Sequence, residues 1–161
     1  MELNDFLDEF KAWDSLSERQ RSFFWGDDYL PLPKLHAERI STLSGIRAVE
    51  FIRLALYNVP TYSIAASCDF KHKDHVLLHD VCNDKNKIAE VRDWLYKKGI
   101  PFSNRVYLLY DDLVVSTDWK ILVTYWDALA WSVGFEMIAL DSTKSWICCF
   151  HHEEVITFMS F

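Results

Sequence analysis

The sequence predicts an α+β fold in which N-terminal helices pack on a C-terminal antiparallel sheet, built from a hairpin, a helix and a three-stranded meander. Apolar residues recur at three- and four-residue spacing through residues 1–60, whereas β-rich runs separated by polar turns follow Pro101. The chain has 161 residues, half of them hydrophobic, with only four Gly and four Pro. A chain of this size can form one core, so we expect a single domain, 1–161.

The first sixty residues are predicted to be mainly helical. Asn4 is placed to cap a first helix. The sequence SLSE at residues 15–18 has the pattern of a capping box, and the helix that follows is expected to end at Gly26. Two prolines then interrupt the helical pattern, because proline fixes φ and pushes the preceding residue to an extended conformation. Ser44 is predicted to cap a later helix, which ends before Pro60.

The middle of the chain gives a clear prediction only in its second half. Within residues 61–84, TYSIAAS at 61–67 could be a short strand or a helical turn, and the period of KHKDHVLLHDVCND at 71–84 is too mixed to decide. Residues 85–98 carry one apolar stripe formed by Ile88, Val91, Trp94 and Leu95. This stripe predicts a helix, with Gly99 as its C-terminal stop.

Residues 100–161 are predicted to be mainly antiparallel sheet. The runs NRVYLLY and LVVST form a hairpin around Asp111 and Asp112, and Thr117 or Asp118 caps a helix behind it. The runs FEMIAL, SWICCFH and VITFMSF then form a meander.

The charge and the composition of the chain argue against several classes of function. Seventeen Lys and Arg against twenty-four Asp and Glu give a net charge of −7, which argues against a protein that binds nucleic acid by neutralising phosphates. No apolar run approaches the length of a membrane span, and the acidic start MELNDFLDEF differs from a secretory signal.

The cysteines indicate the compartment. Four cysteines, including the adjacent pair Cys148 and Cys149, suit a reducing compartment, so we expect a cytoplasmic protein.

Two clusters of metal-type residues have a structural alternative that we favour. The residues His72, His75, His79 and Cys82 would lie along one side of a helix, which is a ligand-like arrangement. No CxxC pair or HExxH motif accompanies them, so solvated or capping histidines are expected and no metal or cofactor is predicted. In a strand, Cys148 and Cys149 point to opposite faces, and both are expected to pack in the core.

Motifs for catalysis are missing from the sequence. No glycine-rich phosphate loop, GxSxG elbow or GxGxxG motif is present. The pair Asp111 and Asp112 imitates catalytic carboxylates, but its place between two strands favours a hairpin tip. We therefore expect a protein that is not an enzyme.

Three segments of the C-terminal half resemble small bacterial immunity proteins, including those of contact-dependent growth inhibition systems. They are IPFSNRVYL at residues 100–108, DWKILVTYWD at 118–127 and SWICCFHHEEVITF at 145–158, and the resemblance covers about residues 94–161. It implies a role in neutralising a cognate toxin by direct binding.

An acidic inhibitor fits a toxin whose active site is basic, such as a nuclease, because opposite charge speeds encounter. The expected contact residues combine aromatic side chains with carboxylates at breaks and turns: Trp25, Asp27, Asp28, Tyr29, Asp111, Asp112, Glu153 and Glu154. Neither nucleic acid nor membrane is expected as a partner. The sequence does not decide whether the chain forms a homodimer. The alternatives are a metal-binding protein or enzyme that uses the His/Cys cluster, or a regulatory domain that binds another protein.

Overall fold

The strands that the structure describes join one antiparallel sheet. The computed structural model describes residues 2–18, 21, 32–57, 59, 72–77, 85–131, 137–151 and 155–161. Within these ranges the strands are β1 (Lys11–Ala12), β2 (Ser41–Ser44), β3 (His72–Leu77), β4 (Arg105–Leu109), β5 (Leu113–Asp118), β6 (Met137–Leu140), β7 (Trp146–His151) and β8 (Val155–Ser160). Their order across the sheet is β1-β2-β5-β4-β6-β7-β8-β3.

Helices cover both faces of this sheet. In the described part of the chain they are α1 (Lys34–Ala37), α2 (Ile46–Ala55), α3 (Lys85–Tyr96) and α4 (Trp119–Trp131), with short 3-10 helices at Leu3–Glu9 and Trp13–Ser15. None of these helices is both long and apolar enough to cross a lipid bilayer. One core lies between α3, α4 and the sheet, and a second lies between α2, the first 3-10 helix and the opposite face of the sheet.

The α+β class is confirmed, but the predicted division into N-terminal helices and a C-terminal sheet is wrong. β1 and β2 lie within the first sixty residues, and β3 lies within the undecided segment 61–84. These strands have two, four and six residues and pair with partners far along the chain, β2 with β5 and β3 with β8. β1 and β2 carry too few residues for their period to distinguish them from loops or caps, and β3, with the sequence HKDHVL, is mostly polar and shows no clear alternation.

The C-terminal predictions are confirmed. β4 and β5 form the predicted hairpin, β6, β7 and β8 form the predicted meander, and α4 lies between these two units. The cap of α4 is Asp118, whose Oδ1 accepts a hydrogen bond from the Ile121 backbone N–H at 3.1 Å. The predicted helix at 85–98 is also present as α3, and Gly99 follows it with φ of +71°.

The predicted helix caps of the N-terminal part are wrong at three places. Asn4 lies inside a 3-10 helix that begins at Leu3. The Ser15 hydroxyl donates to the backbone carbonyl of Ala12 at 2.7 Å, and within the described residues it makes no hydrogen bond to Glu18, the other half of the predicted capping box. Most of the helix predicted after it, up to Gly26, lies outside the described residues. Ser44 belongs to β2, and the residue before α2 is Gly45, with φ of +69°. Asn4 and Ser15 thus belong to 3-10 helices and Ser44 belongs to a strand, so none of the three is the residue before the predicted helix.

The turn between β6 and β7 is organised around a buried carboxylate. Asp141 is 6% exposed. Its Oδ1 accepts hydrogen bonds from the backbone N–H groups of Thr143 and Lys144 and from the Thr143 hydroxyl, at 2.9, 3.2 and 2.6 Å. Its Oδ2 accepts from Asn104 Nδ2 and Trp146 Nε1, both at 3.0 Å. One side chain therefore ties the turn to the chain that precedes β4.

Candidate partner-binding surface

Of the eight predicted contact residues, the structure describes Asp111 and Asp112. Both are exposed, in the turn that joins β4 to β5. The hairpin-tip prediction for this pair is therefore confirmed. The other contact residues, Trp25, Asp27, Asp28, Tyr29, Glu153 and Glu154, lie outside the described residues and stay predictions.

The turn at residues 110–112, which we name the acidic turn, is held from both sides. The Tyr110 N–H donates to the Leu113 carbonyl at 2.9 Å, and the Gly45 N–H donates to the Asp112 carbonyl at 2.9 Å. The Tyr110 ring is buried, and its hydroxyl donates to the Leu129 carbonyl at 3.2 Å. Burial raises the pKa of this phenol well above its usual value, so it stays neutral. The backbone that carries the two carboxylates is therefore fixed before any partner arrives.

An exposed apolar side chain lies beside the acidic turn. Ile46 is 77% exposed at the first position of α2, directly after Gly45, whose N–H contacts Asp112. An isoleucine at this position adds little to the core and is a mediocre helix former. The acidic turn and Ile46 together form a surface with an apolar centre and charged neighbours, as in protein interfaces. Sequence reasoning missed Ile46, because its spacing does not distinguish it from the core residues of the same helix.

The carboxylates of the acidic turn are not neutralised by the described residues. Neither Asp111 nor Asp112 forms an ion pair within the ranges that the structure describes. The neighbouring basic residue, Arg47, is held by Glu9 and Glu50. As far as the described part of the chain goes, both negative charges are available to basic groups of another molecule.

The β7–β8 connection begins and ends at the same end of the sheet as the acidic turn. Leu109 of β4 lies opposite Ile138 of β6, and Ile138 lies opposite Cys149 of β7. Two residues further along β7, His151 pairs with Val155. With three strand spacings between the two hairpins, these ends lie about 14 Å from the acidic turn.

The two described cysteines are core residues, as predicted. Cys148 packs in the core under α3 and α4, and Cys149 packs against Ile147 and Met159 on the opposite face. Burial is the main cause that raises the pKa of both thiols, to about 12 for Cys149 and well above the usual value for Cys148. Only the thiolate is a good nucleophile, so these thiols are inert at neutral pH.

A thiol-labelling experiment tests this burial. In a Cys68→Ser, Cys82→Ser background, Cys148 and Cys149 are expected to react with an aromatic disulfide reagent at least ~100-fold more slowly in the folded protein than in denaturant, because labelling requires opening of the core. The release of the coloured thiol measures the rate. Rapid labelling of the folded protein would contradict the assignment of both thiols to the core.

The helical interpretation of the His/Cys cluster is wrong for its first half. The backbone at His72–Leu77 is the strand β3, in which residues three apart do not share a face. His75 is exposed, and His79 and Cys82 lie outside the described residues. Within the ranges the structure covers, no three His, Cys, Asp or Glu side chains are grouped to hold a metal ion.

A groove of about 480 Å³ beside β3 contains charged groups that sequence reasoning did not single out. Lys98, with its side chain 8% exposed, forms an ion pair with Asp74. The Lys98 Nζ lies 3.7 Å from the centre of the Trp94 ring. The second lysine of the groove, Lys97, pairs with Asp93 at 2.6 Å. The charged groups of the groove are thus paired within the molecule rather than presented for acid–base chemistry.

The pKa of the Asp74 carboxyl is lowered below its usual value. The main cause is the hydrogen bond that the Lys98 ammonium donates to it. A lowered pKa in the folded state means that the pair stabilises the protein above the unfolded pKa of about 4. This contribution is lost as the pH falls through the folded value. The exposed fraction of Asp74, 39%, keeps it modest because solvent screens the charges.

Comparison of the chain with protein-family models, curated proteins and solved structures found no match. The chemistry of the acidic turn and its surroundings is therefore the basis for a functional proposal.

Proposed function

We propose that this chain is a cytoplasmic immunity protein, which neutralises a cognate toxin domain by direct binding and carries out no catalysis of its own. The observation that supports the proposal best is the acidic turn, whose two exposed carboxylates form no ion pair with the described residues and stand on a fixed backbone beside the exposed Ile46. A rigid surface loses little conformational entropy on binding, which favours affinity. The partner that fits this surface is a basic domain with an apolar contact, and nucleases provide such a surface where they bind phosphate.

The charge of the whole chain favours the same kind of partner. A net charge of −7 attracts a basic domain over distances of about a Debye length, roughly 8 Å at physiological salt. Fast association is useful to an inhibitor that must act before its toxin causes damage. The acidic turn then gives the long-range attraction a defined place of contact.

The proposal predicts that a toxin-like polypeptide is encoded beside this gene, and co-expression of the two proteins tests it. Cells that produce the toxin domain alone are expected to die, and cells that also produce this protein are expected to survive. The two purified proteins are expected to form a complex of fixed stoichiometry, measured by light scattering. Survival without a complex, or a complex without protection, would contradict neutralisation by direct binding.

Neutralising the acidic turn is expected to weaken the complex. The double substitution Asp111→Asn with Asp112→Asn should raise Kd by about 10- to 100-fold, mainly through slower association, because it removes two charges from the contact. The melting temperature should change by no more than about 2 °C, since both side chains are exposed and form no ion pair with the residues that the structure describes. Stopped-flow mixing at several salt concentrations measures the association rate, which should fall as ionic strength rises.

A matched control separates local contact from net charge. The substitutions Asp8→Asn and Asp14→Asn change the charge by the same amount at two exposed positions of the N-terminal 3-10 helices. This variant is expected to bind nearly as tightly as the unmodified protein. Equal loss of affinity in both double variants would show that only total charge matters and would remove the acidic turn from the interface.

A further inference from the structure

β3 is the last strand of the sheet, and the register shows which of its backbone groups face outward. The Phe161 N–H donates to the Ser145 carbonyl at 3.0 Å. Because hydrogen-bonding positions alternate along an antiparallel strand, positions 155, 157 and 159 of β8 also bond to β7. Positions 156, 158 and 160 bond to β3, where they pair with positions 76, 74 and 72. The backbone N–H and C=O groups at positions 73, 75 and 77 therefore point away from the sheet.

No other strand of the described residues pairs with this outer edge. An edge of this kind is a template for another strand, and proteins commonly block it. Here one outward group is occupied by a side chain, because the His75 N–H donates to Asp74 Oδ1 at 2.8 Å. The centre of the outer edge is thus closed by the residue next to it.

The Asp74 carboxylate is held in this position by two groups of α3 and its C-terminal end. Its Oδ2 accepts a hydrogen bond from Trp94 Nε1 at 2.9 Å and another from the Lys98 ammonium. The Lys98 side chain is itself confined, since its ammonium lies over the Trp94 ring and 5.4 Å from the centre of the Phe158 ring. Moving a carboxylate whose two oxygens accept hydrogen bonds from three donors is costly in free energy.

We infer that the outer edge of β3 is a strand-pairing surface for a second copy of this chain, and that Asp74 keeps it closed. The inference does not depend on the proposed function, because β3 is separated from the β4–β5 hairpin by three strands.

The register is compatible with a second copy as the occupant, and this is the occupant that we propose. In an antiparallel pair centred on His75, position 75 lies opposite its own copy and position 73 lies opposite position 77, so the outward groups of both copies are satisfied together. No like charges face each other in this register. Asp74, however, lies opposite Val76, and its Oδ1 must release the His75 N–H before that group can bond to a second copy. Pairing is therefore self-complementary in the backbone, and among the described residues Asp74 is the group that opposes it.

Substituting Asp74 tests the inference. The variant Asp74→Val keeps a strand-forming residue and places an apolar side chain opposite Val76. We expect its mass, measured by light scattering during gel filtration at micromolar concentrations, to be twice that of the unmodified protein. An unchanged mass in a variant that retains its circular dichroism spectrum would overturn the inference.

A second substitution shows whether the β3 edge mediates the association. His75→Pro removes an outward N–H that the β3–β8 ladder does not use, so proline is tolerated there on structural grounds. We expect Asp74→Val combined with His75→Pro to return to the mass of the unmodified protein. Association that persists in the double variant would place the contact elsewhere and would also overturn the inference.

A third variant, Lys98→Met, tests the inference if Asp74→Val does not fold. Lys98→Met leaves β3 unchanged and removes the ammonium that holds the carboxylate. A smaller, concentration-dependent increase in mass is expected, because Asp74 still competes for the His75 N–H. If Lys98→Met folds and stays at the mass of the unmodified protein at every concentration, the edge is not a surface for a second copy.

Discussion

Replacing Asp141 with alanine is expected to lower the free energy of unfolding by about 3–5 kcal/mol, because hydrogen bonds to a buried carboxylate are lost and buried donors are left without an acceptor. The substitution removes the acceptor of five hydrogen bonds at the β6–β7 turn. Trp146, which is 6% exposed, is then left with an indole N–H that has lost this acceptor. A buried donor without a partner costs more than the hydrogen bond itself contributes.

Urea unfolding followed by tryptophan fluorescence measures this loss. Asp141→Asn is a graded comparison, because its single carbonyl oxygen retains part of the acceptor set. Ser142→Ala is a matched control in the same turn, since Ser142 is exposed, and it should change stability by less than about 0.5 kcal/mol. A loss below about 1 kcal/mol for Asp141→Ala would mean that the turn is held by other contacts.

Phe51→Ala is expected to cost a similar amount, about 3–5 kcal/mol, because it leaves a large cavity in the core between α2 and the sheet. Phe51 is fully buried. Its ring centre lies 5.5 Å from that of Phe6, 5.8 Å from that of Phe10 and 4.9 Å from that of Tyr107. The residue therefore joins the N-terminal 3-10 helix, α2 and β4.

Thermal unfolding monitored by circular dichroism checks this prediction. Proteolysis near the N-terminus should also become faster, because the first 3-10 helix loses its main aromatic contacts. Tyr57→Ala is the control, since it removes an aromatic ring that is 69% exposed just after α2. Equal losses for Phe51→Ala and Tyr57→Ala would contradict the assignment of Phe51 to the core.

The parts of the fold that could be predicted from the sequence are those with strong local patterns. The stripe of Ile88, Val91 and Leu95 predicted α3, and alternation with polar turns predicted the β4–β5 hairpin and the meander. β2 could not be predicted, because its four residues STLS become a strand only by pairing with β5, about seventy residues later. Its inner residues Thr42 and Leu43 are buried by that pairing.

The residues of the candidate surfaces could likewise be predicted only where the local sequence pattern is strong. Asp111 and Asp112 could be placed at an exposed turn because both flanking strands were evident in the sequence. Ile46 gave no signal, because an exposed isoleucine and a buried one have the same helical spacing. Asp74 and Lys98 are twenty-four positions apart, and only the pairing of β3 with β8 brings the strand beside the end of α3.

The order of strands also bears on how the chain folds as it leaves the ribosome. β3 is synthesised well before β4, yet its neighbour in the sheet is β8, so residues 72–77 must wait until residues 155–160 have emerged. During that interval β3 lacks the one strand neighbour that it has among the described residues, and contacts between distant parts of the chain slow folding. A nascent chain halted before β8 therefore exposes the unpaired backbone of β3, and a chaperone that shields residues 72–77 would act in this interval.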